Sequence, residues 1–287
     1  MRASTIKAIA TAAFAVMAAS SVASAADMAP RYTKAPPPIV EVWTWDKFYV
    51  GVNGGYSWGR SDTSGTFYHN TTGVQLSPTQ SGNINLDGAV LGGQVGKNWQ
   101  FGNWVVGVEL DGQWTDQKGG RGFSCVTPTA PPGGICNFIT AGPGAGVSPT
   151  TTFNQHLEWF VTMRPRAGVL ITPSALLYVT GGLAVAGINT DGVISGFTPA
   201  QVPTSVAWNN DATKWGWVVG AGVEARLGGN WTGKLEGLYM DYGTVSGSPV
   251  LLTSNPPLRF DYSSKVTDVV VRAGVNYHFG GPVVAKY

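Results

Sequence analysis

The 287-residue chain holds 40 glycines and 11 tryptophans but only 12% charged residues, with 18 basic side chains against 16 acidic ones. So even a balance gives no electrostatic reason to expect nucleic acid as a partner. Glycine and aromatic abundance on a sparsely charged chain directs attention to the pattern along the sequence instead.

The first segment reads as an export signal. Arg2 and Lys7 form a basic start, Ala8 to Val22 is uncharged and alanine-rich, and Ala23-Ser24-Ala25 supplies the small-x-small pattern of a cleavage site. Removing residues 1–25 leaves 262 (287 minus 25), with 16 basic and 16 acidic side chains. Residues 26–44, with three consecutive prolines, read as an extended linker.

From there an alternation of period two recurs, the signature of strands whose successive side chains face opposite ways. In FYVGVNGGYSW, Phe48, Val50, Val52, Tyr56 and Trp58 share one side. In DGAVLGGQVGKNW, Ala89, Leu91, Val95 and Trp99 oppose Gly92, Gln94 and Asn98. WVVGVELDGQW sets Trp104, Val106, Val108, Leu110 and Trp114 against Glu109, Asp111 and Gln113. HLEWFVTMRPR sets Leu157, Trp159, Val161 and Met163 against Glu158, Thr162, Arg164 and Arg166. LLYVTGGLAVAG places Leu177, Val179, Leu183 and Val185 opposite Tyr178, Thr180 and Ala184, and WGWVVGAGVEARL places Trp215, Trp217, Val219 and Val223 opposite Glu224 and Arg226. WTGKLEGLYMDY is the least regular: Trp231, Leu235 and Tyr239 oppose Lys234 and Glu236, but Leu238 and Met240 fall on the polar side. In VVVRAGVNYHF, Val269, Val271, Val275, Tyr277 and Phe279 oppose Arg272, Asn276 and His278.

These eight segments of about ten residues have the length of a tilted strand crossing a bilayer. Tight turns at 100–103, 172–175 and 228–230 alternate with long Gly/Ser/Thr/Pro-rich stretches at 59–82, 115–151, 189–212 and 244–264, the layout of an outer-membrane barrel. Ten strands would follow if 115–151 hid a hairpin. Residues 169–188 carry no charge over twenty positions, but Pro173, Gly181 and Gly182 favour strand–turn–strand over a membrane helix.

Sorting of residues by strand end favours lipid outside. Trp99, Trp104, Trp231, Tyr277 and Phe279 fall at the short-turn ends, and Trp58, Trp114, Trp159, Trp215, Trp217 and Tyr239 toward the long-loop ends, as two aromatic girdles do. The polar side carries Glu109, Asp111, Glu158, Arg164, Arg166, Glu224, Arg226, Lys234, Glu236, Asp268 and Arg272, which predicts a paired charge network in the lumen. The expected fold is therefore an all-β, eight-stranded antiparallel up-and-down transmembrane barrel over 45–279, with a tail at 280–287. Cys125 and Cys136, in a Gly/Pro-rich stretch of an exported chain, predict one disulfide closing a short loop.

WDKFYVGVNGGYSWG, GGQVGKNWQ, WVVGVELD, GWVVGAGVEARL, KLEGLYMDYG and VVVRAGVNYHF together give a chain that resembles the RopB-type, opacity-like small outer-membrane immunogenic proteins of α-proteobacteria. The resemblance implies an eight-stranded barrel in the outer membrane, short turns and the linker on the periplasmic side, and Phe279 as the terminal signal read by the barrel-assembly machinery. GGPVVAKY beyond Phe279 departs from that pattern, and leaves the closing Tyr287 as the alternative to Phe279 for that signal.

His69, His156 and His278 are scattered in this topology, and no nucleophile–base pairing emerges, so no enzyme, metal site or cofactor is expected. The function expected is envelope structure with surface-exposed loops, in contact with outer-membrane lipid, lipopolysaccharide and, as open alternatives, peptidoglycan or a host surface. The rival readings are a narrow porin-like channel, and a surface binder of a ligand such as haem through His69 in FYHN.

Overall fold

A computed structural model describes residues 41–124, 149–197, 202–253, 257–280 and 283–284. The elements are β1 (Glu41–Val42), β2 (Phe48–His69), β3 (Gln80–Phe101), β4 (Trp104–Ser124), β5 (Thr150–Thr172), β6 (Ala175–Phe197), β7 (Pro203–Gly228), β8 (Trp231–Gly247), β9 (Val250–Leu251), β10 (Leu258–Phe279) and β11 (Val283–Val284). Strands β2 to β8 and β10 pair antiparallel with their sequence neighbours, and β10 closes on β2 from Leu258↔His69 to Phe279↔Phe48. The ring is an eight-stranded up-and-down barrel. Outside it, β1 pairs with β11, joining the segments just before and just after the barrel.

The short turns lie where the sequence places them. β3 and β4 meet through Gly102, at φ +61°, and β7 and β8 through Gly229, at φ +52°. Both adopt the left-handed conformation that glycine enters without steric cost. Pro173-Ser174 separates β5 from β6, so residues 169–188 are strand, turn and strand.

The strands are far longer than about ten residues: the eight run from 17 in β8 to 26 in β7. Much of each stretch expected to be loop continues as strand. The alternation persists there, but its polarity is reversed. In the half toward the short turns, Val52, Leu91, Leu110, Val179 and Leu235 face outward and are exposed, while Asn53, Gln94, Asp111, Thr180 and Glu236 are buried inside. Beyond the upper tryptophans, Arg60, Asp62, Asn83, Asn85 and Lys118 are exposed, whereas Phe67, Ile84, Leu86, Phe123, Phe153 and Phe260 are buried inside. One half is built for hydrocarbon outside and the other for water outside.

The dimensions agree. Phe48 to Trp58, Trp104 to Trp114 and Val269 to Phe279 each span ten steps. At about 3.3 Å per residue and a tilt of about 40°, ten steps rise about 25 Å, the height of an outer-membrane apolar band. The remaining eleven residues of β2, Gly59 to His69, carry the wall about a further 28 Å beyond that band by the same arithmetic.

A β-bulge between Leu157 and Trp159 shifts β5 by one position. Because the side-chain period is two, one residue exchanges the faces on either side. Trp159 and Val161 remain on the outer face as expected, but Leu157 turns inward and is buried. Glu158, expected in the lumen, is exposed on the outer surface.

Candidate functional site

The interior is filled in three storeys, and the middle one holds the charges. Arg164 and Arg272 are fully buried side by side from β5 and β10. Arg164 donates to Glu109 at 2.6 Å, Asp111 at 2.7 Å and Glu236 at 3.0 Å. Arg272 grips Asp111 at 2.9 and 3.1 Å and Glu236 at 2.7 and 2.9 Å. Lys234 Nζ lies 2.8 Å from Glu109. Beneath them Arg166 donates to Glu224 at 2.8 Å, and Glu224 also accepts from Thr232 at 2.6 Å and Asn276 at 2.8 Å. The four carboxylates Glu109, Asp111, Glu224 and Glu236 match the four bases Arg164, Arg166, Lys234 and Arg272, so the formal charges cancel. Buried charges are tolerable only when paired and hydrogen-bonded in this way.

Two tyrosines complete the storey. Tyr49 and Tyr178 flank the Arg166 guanidinium, 5.2 and 4.7 Å from its carbon to their ring centres. Their hydroxyls donate to Glu109 at 2.7 Å and Glu236 at 3.1 Å. Space for these large groups comes from glycine on the facing strand. A Cβ at Gly222 would stand 2.6 Å from Tyr178 Oη.

Three of the charges expected in the network fall outside it. Glu158 faces out because of the β5 bulge. Arg226 is on the inward parity of β7, but at the mouth, where the register shifts between Arg226 and Gly228; it is exposed, donates to Gly229 O and lies 4.8 Å over the Trp43 ring. Asp268 is buried in the lumen one step above the network. There it accepts from Gln117 at 3.1 Å and from Ser57, with no ion pair among the described residues.

The lower storey is an aromatic plug that the sequence pattern did not indicate. Trp45, ahead of the first barrel strand, is fully buried under the network. Its backbone N–H donates to Gln100 Oε1 at 2.8 Å and its indole to Pro173 O at 3.3 Å. Trp43, Trp45 and Tyr49 all pack edge-on or tilted against His278, with centroids 5.2–5.9 Å away. Tyr49, Tyr178 and His278 were signalled only by being large side chains on the polar parity; Trp43 and Trp45 precede any alternation and gave no such signal.

The upper storey is an apolar core of Phe67, Phe123, Phe153, Phe260, Tyr262 and their neighbours, with ring centroids mostly 5.0–6.4 Å apart. Leu238 and Met240, irregular in the sequence pattern, belong to it. Burial pushes the Tyr262 hydroxyl up in pKa, against a hydrogen bond from Asn210.

On the outer surface Trp99, Trp104, Trp231, Phe279, Trp58, Trp114, Trp215, Trp217 and Tyr239 are exposed, and Trp159 and Tyr277 partly so. At the lower edge Trp231, Tyr277, Phe279 and Phe48 form one chain of contacts, with centroids 5.0–5.9 Å apart. At the upper edge Tyr56 packs on Trp58 and Trp217 on Tyr239, at 5.0 and 5.5 Å. His69 is part-buried at the top of β2, where its Nδ1 accepts from the backbone N–H of Thr71 and Thr72. Cys125 and Cys136 lie outside the described residues, as do residues 1–40.

Comparison with known proteins agrees with this architecture. Residues 12–279 match the family model "Outer membrane protein beta-barrel domain". The chain is 32% identical over 276 residues to the 31 kDa outer-membrane immunogenic protein of Brucella melitensis, covering 96% of this chain and all of the relative. It is 29% identical over 207 residues to a 22 kDa outer membrane protein of Rhizobium leguminosarum, covering 71% and 68%. Among solved structures it aligns with the outer membrane protease OmpT from Escherichia coli at 11% identity and a TM-score of 0.48, covering 82% of this chain and 98% of that one. The chain thus belongs to the outer-membrane β-barrel family, as a homologue of the α-proteobacterial immunogenic proteins, and its place is the outer membrane.

Proposed function

We propose that this barrel is a non-enzymatic, non-conducting element of the envelope whose wall and loops form an antigenic surface beyond the membrane. The observation that carries the reading is the charge-neutral cluster of four acids and four bases, each no more than 4% exposed, across the lumen. An ion crossing that level would have to displace ion pairs that leave it no replacement ligands, and an unpaired charge there is costly. Trp45 below and the phenylalanine cluster above support closure at two further levels. The names of the relatives support surface presentation. The polar outer wall above the girdle is then the part that meets lipopolysaccharide.

The test is conductance of the refolded protein in a planar bilayer, with heat-dependent gel mobility reporting folding. A folded, silent protein is expected. Reproducible unitary steps would replace this reading with that of a narrow channel.

A further inference from the structure

The ring closes where β10 meets β2, and the segment just ahead of β2 lies beneath that seam. The β2–β10 ladder ends at Phe279↔Phe48, and pairing resumes below it as Val42↔Val283 and Glu41↔Val284. Between the two ladders stand five residues on one side, 43–47, and three on the other, 280–282. The longer side arches into the mouth of the barrel and carries Trp45 inside, where it is fully buried. Lys47 N–H donates to Trp45 O at 2.8 Å, which tightens the arch. The seam above it carries few paired side chains at membrane level. Four of the five pairs from Gly51↔Asn276 to Gly55↔Arg272 contain a glycine. Cross-strand side-chain pairs add to a ladder's backbone bonds, and glycine contributes none.

The arch is held from all three short turns and from the last barrel strand. Trp45 N–H donates to Gln100 Oε1 at 2.8 Å beside the β3–β4 turn, and its indole donates to Pro173 O at 3.3 Å in the β5–β6 turn. Trp43 has Lys47 Nζ 4.2 Å from its ring centre and the Arg226 guanidinium, from beside the β7–β8 turn, at 4.8 Å. Both indoles pack edge-on against His278 of β10, which faces Tyr49 of β2 directly across the seam. One wall of the tryptophan site therefore belongs to the last barrel strand, whereas the arch belongs to the chain ahead of the first. The site is complete only when the ring is closed.

We propose that residues 43–47 are a latch on ring closure: Trp45 docks only on the closed ring and, once docked, holds the seam against opening. A group that binds one state and has no site on the other favours the first by its whole docking free energy. For a fully buried indole that is a large factor, because truncating such a side chain shifts the equilibrium about 100-fold or more. The latch acts on the seam rather than on the wall at large. A second parting of the ring lies in the upper half, where the β7–β8 ladder stops at Trp217↔Asp241 and a bulge at Gly243, φ +72°, turns β8 away. That parting is on the far side of the charge network from the arch, so its opening is independent of Trp45.

Amide hydrogen exchange of the protein refolded in detergent, read segment by segment, tests the latch. Trp45→Ala should speed exchange of the seam segments 48–55 and 272–279 at least about tenfold. Exchange of the β5–β6 segments 161–163 and 183–185, and of 209–213 beside the upper parting, should stay within about threefold of the wild type. Trp45→Phe keeps a ring on His278 and removes the donor to Pro173 O, so it reports even where alanine prevents folding. It should speed the seam about fivefold, the contribution of one hydrogen bond. Ending the chain at Gly280 removes β11 and should speed the same seam segments. Equal acceleration around the ring would make Trp45 a filler of the mouth. Seam exchange unchanged in the tryptophan variants, or in the shortened chain, would leave the seam closed without a latch. Either result overturns the proposal.

Discussion

Replacing Arg272 with Met removes one of the three arginines of the lumen cluster and leaves the aliphatic volume in place. Arg272 makes four hydrogen bonds to Asp111 and Glu236 at 2.7–3.1 Å, all fully buried. Without it the cluster holds four acids against Arg164, Arg166 and Lys234, a net charge of −1. Removing one partner from a buried pair costs about 3–5 kcal/mol, because the other charge is left without compensation. Arg164 still touches Asp111 at 2.7 Å and Glu236 at 3.0 Å, which places the cost at the lower end. About 3 kcal/mol is about a 100-fold loss in the folding equilibrium. The assay is reversible folding into phospholipid vesicles over a guanidinium series, followed by tryptophan emission. Adding Glu236→Gln restores neutrality, so the double variant should be at least about 1 kcal/mol more stable than the two single effects summed. A cost of Arg272→Met below about 1 kcal/mol, with strict additivity in the double variant, would refute the claim that charge balance stabilises the lumen.

The same folding assay checks four further outcomes. Val179→Arg, outward and 62% exposed within the apolar band, should cost about 2–4 kcal/mol, whereas Val193→Arg, outward on the same strand above the girdle, should cost less than about 0.5 kcal/mol. Equal costs would remove the boundary drawn here at the upper tryptophans. Gly222→Val forces a side chain against Tyr178 Oη and Leu235 O, and should cost about 1–3 kcal/mol. Phe153→Ala opens a cavity in the upper core and should cost about 3–5 kcal/mol, the full price of a deeply buried ring. Glu158→Gln, on the exposed side of the β5 bulge, should stay within about 0.5 kcal/mol, while Asp111→Asn should not.

By itself the sequence determined the strand directions, the tight turns, the aromatic edges and the sign of the membrane-level alternation. Each of these is local: a parity, a glycine at a turn, a tryptophan at a strand end. It also determined which charges share the lumen in the regular strands, because parity alone puts Glu109 and Asp111, or Lys234 and Glu236, on one face. Strand length was hidden because period two looks the same whichever face is wet. Past the upper tryptophans the outward residues become Arg60, Asp62, Asn83 and Lys118, and a polar outer face there reads as loop until the inward Phe123 and Phe153 are seen to meet Phe260 and Tyr262 across the barrel. Only the tertiary structure decided where parity breaks. One extra residue at Glu158 turns a lumen charge outward, and one at Gly243 opens the wall between β7 and β8. Bulges depend on which residues the neighbouring strand presents, and pairing between Arg272 on the last barrel strand and Asp111, 161 residues earlier on β4, depends on ring closure. Those are long-range facts, and no alternation within a single strand encodes them.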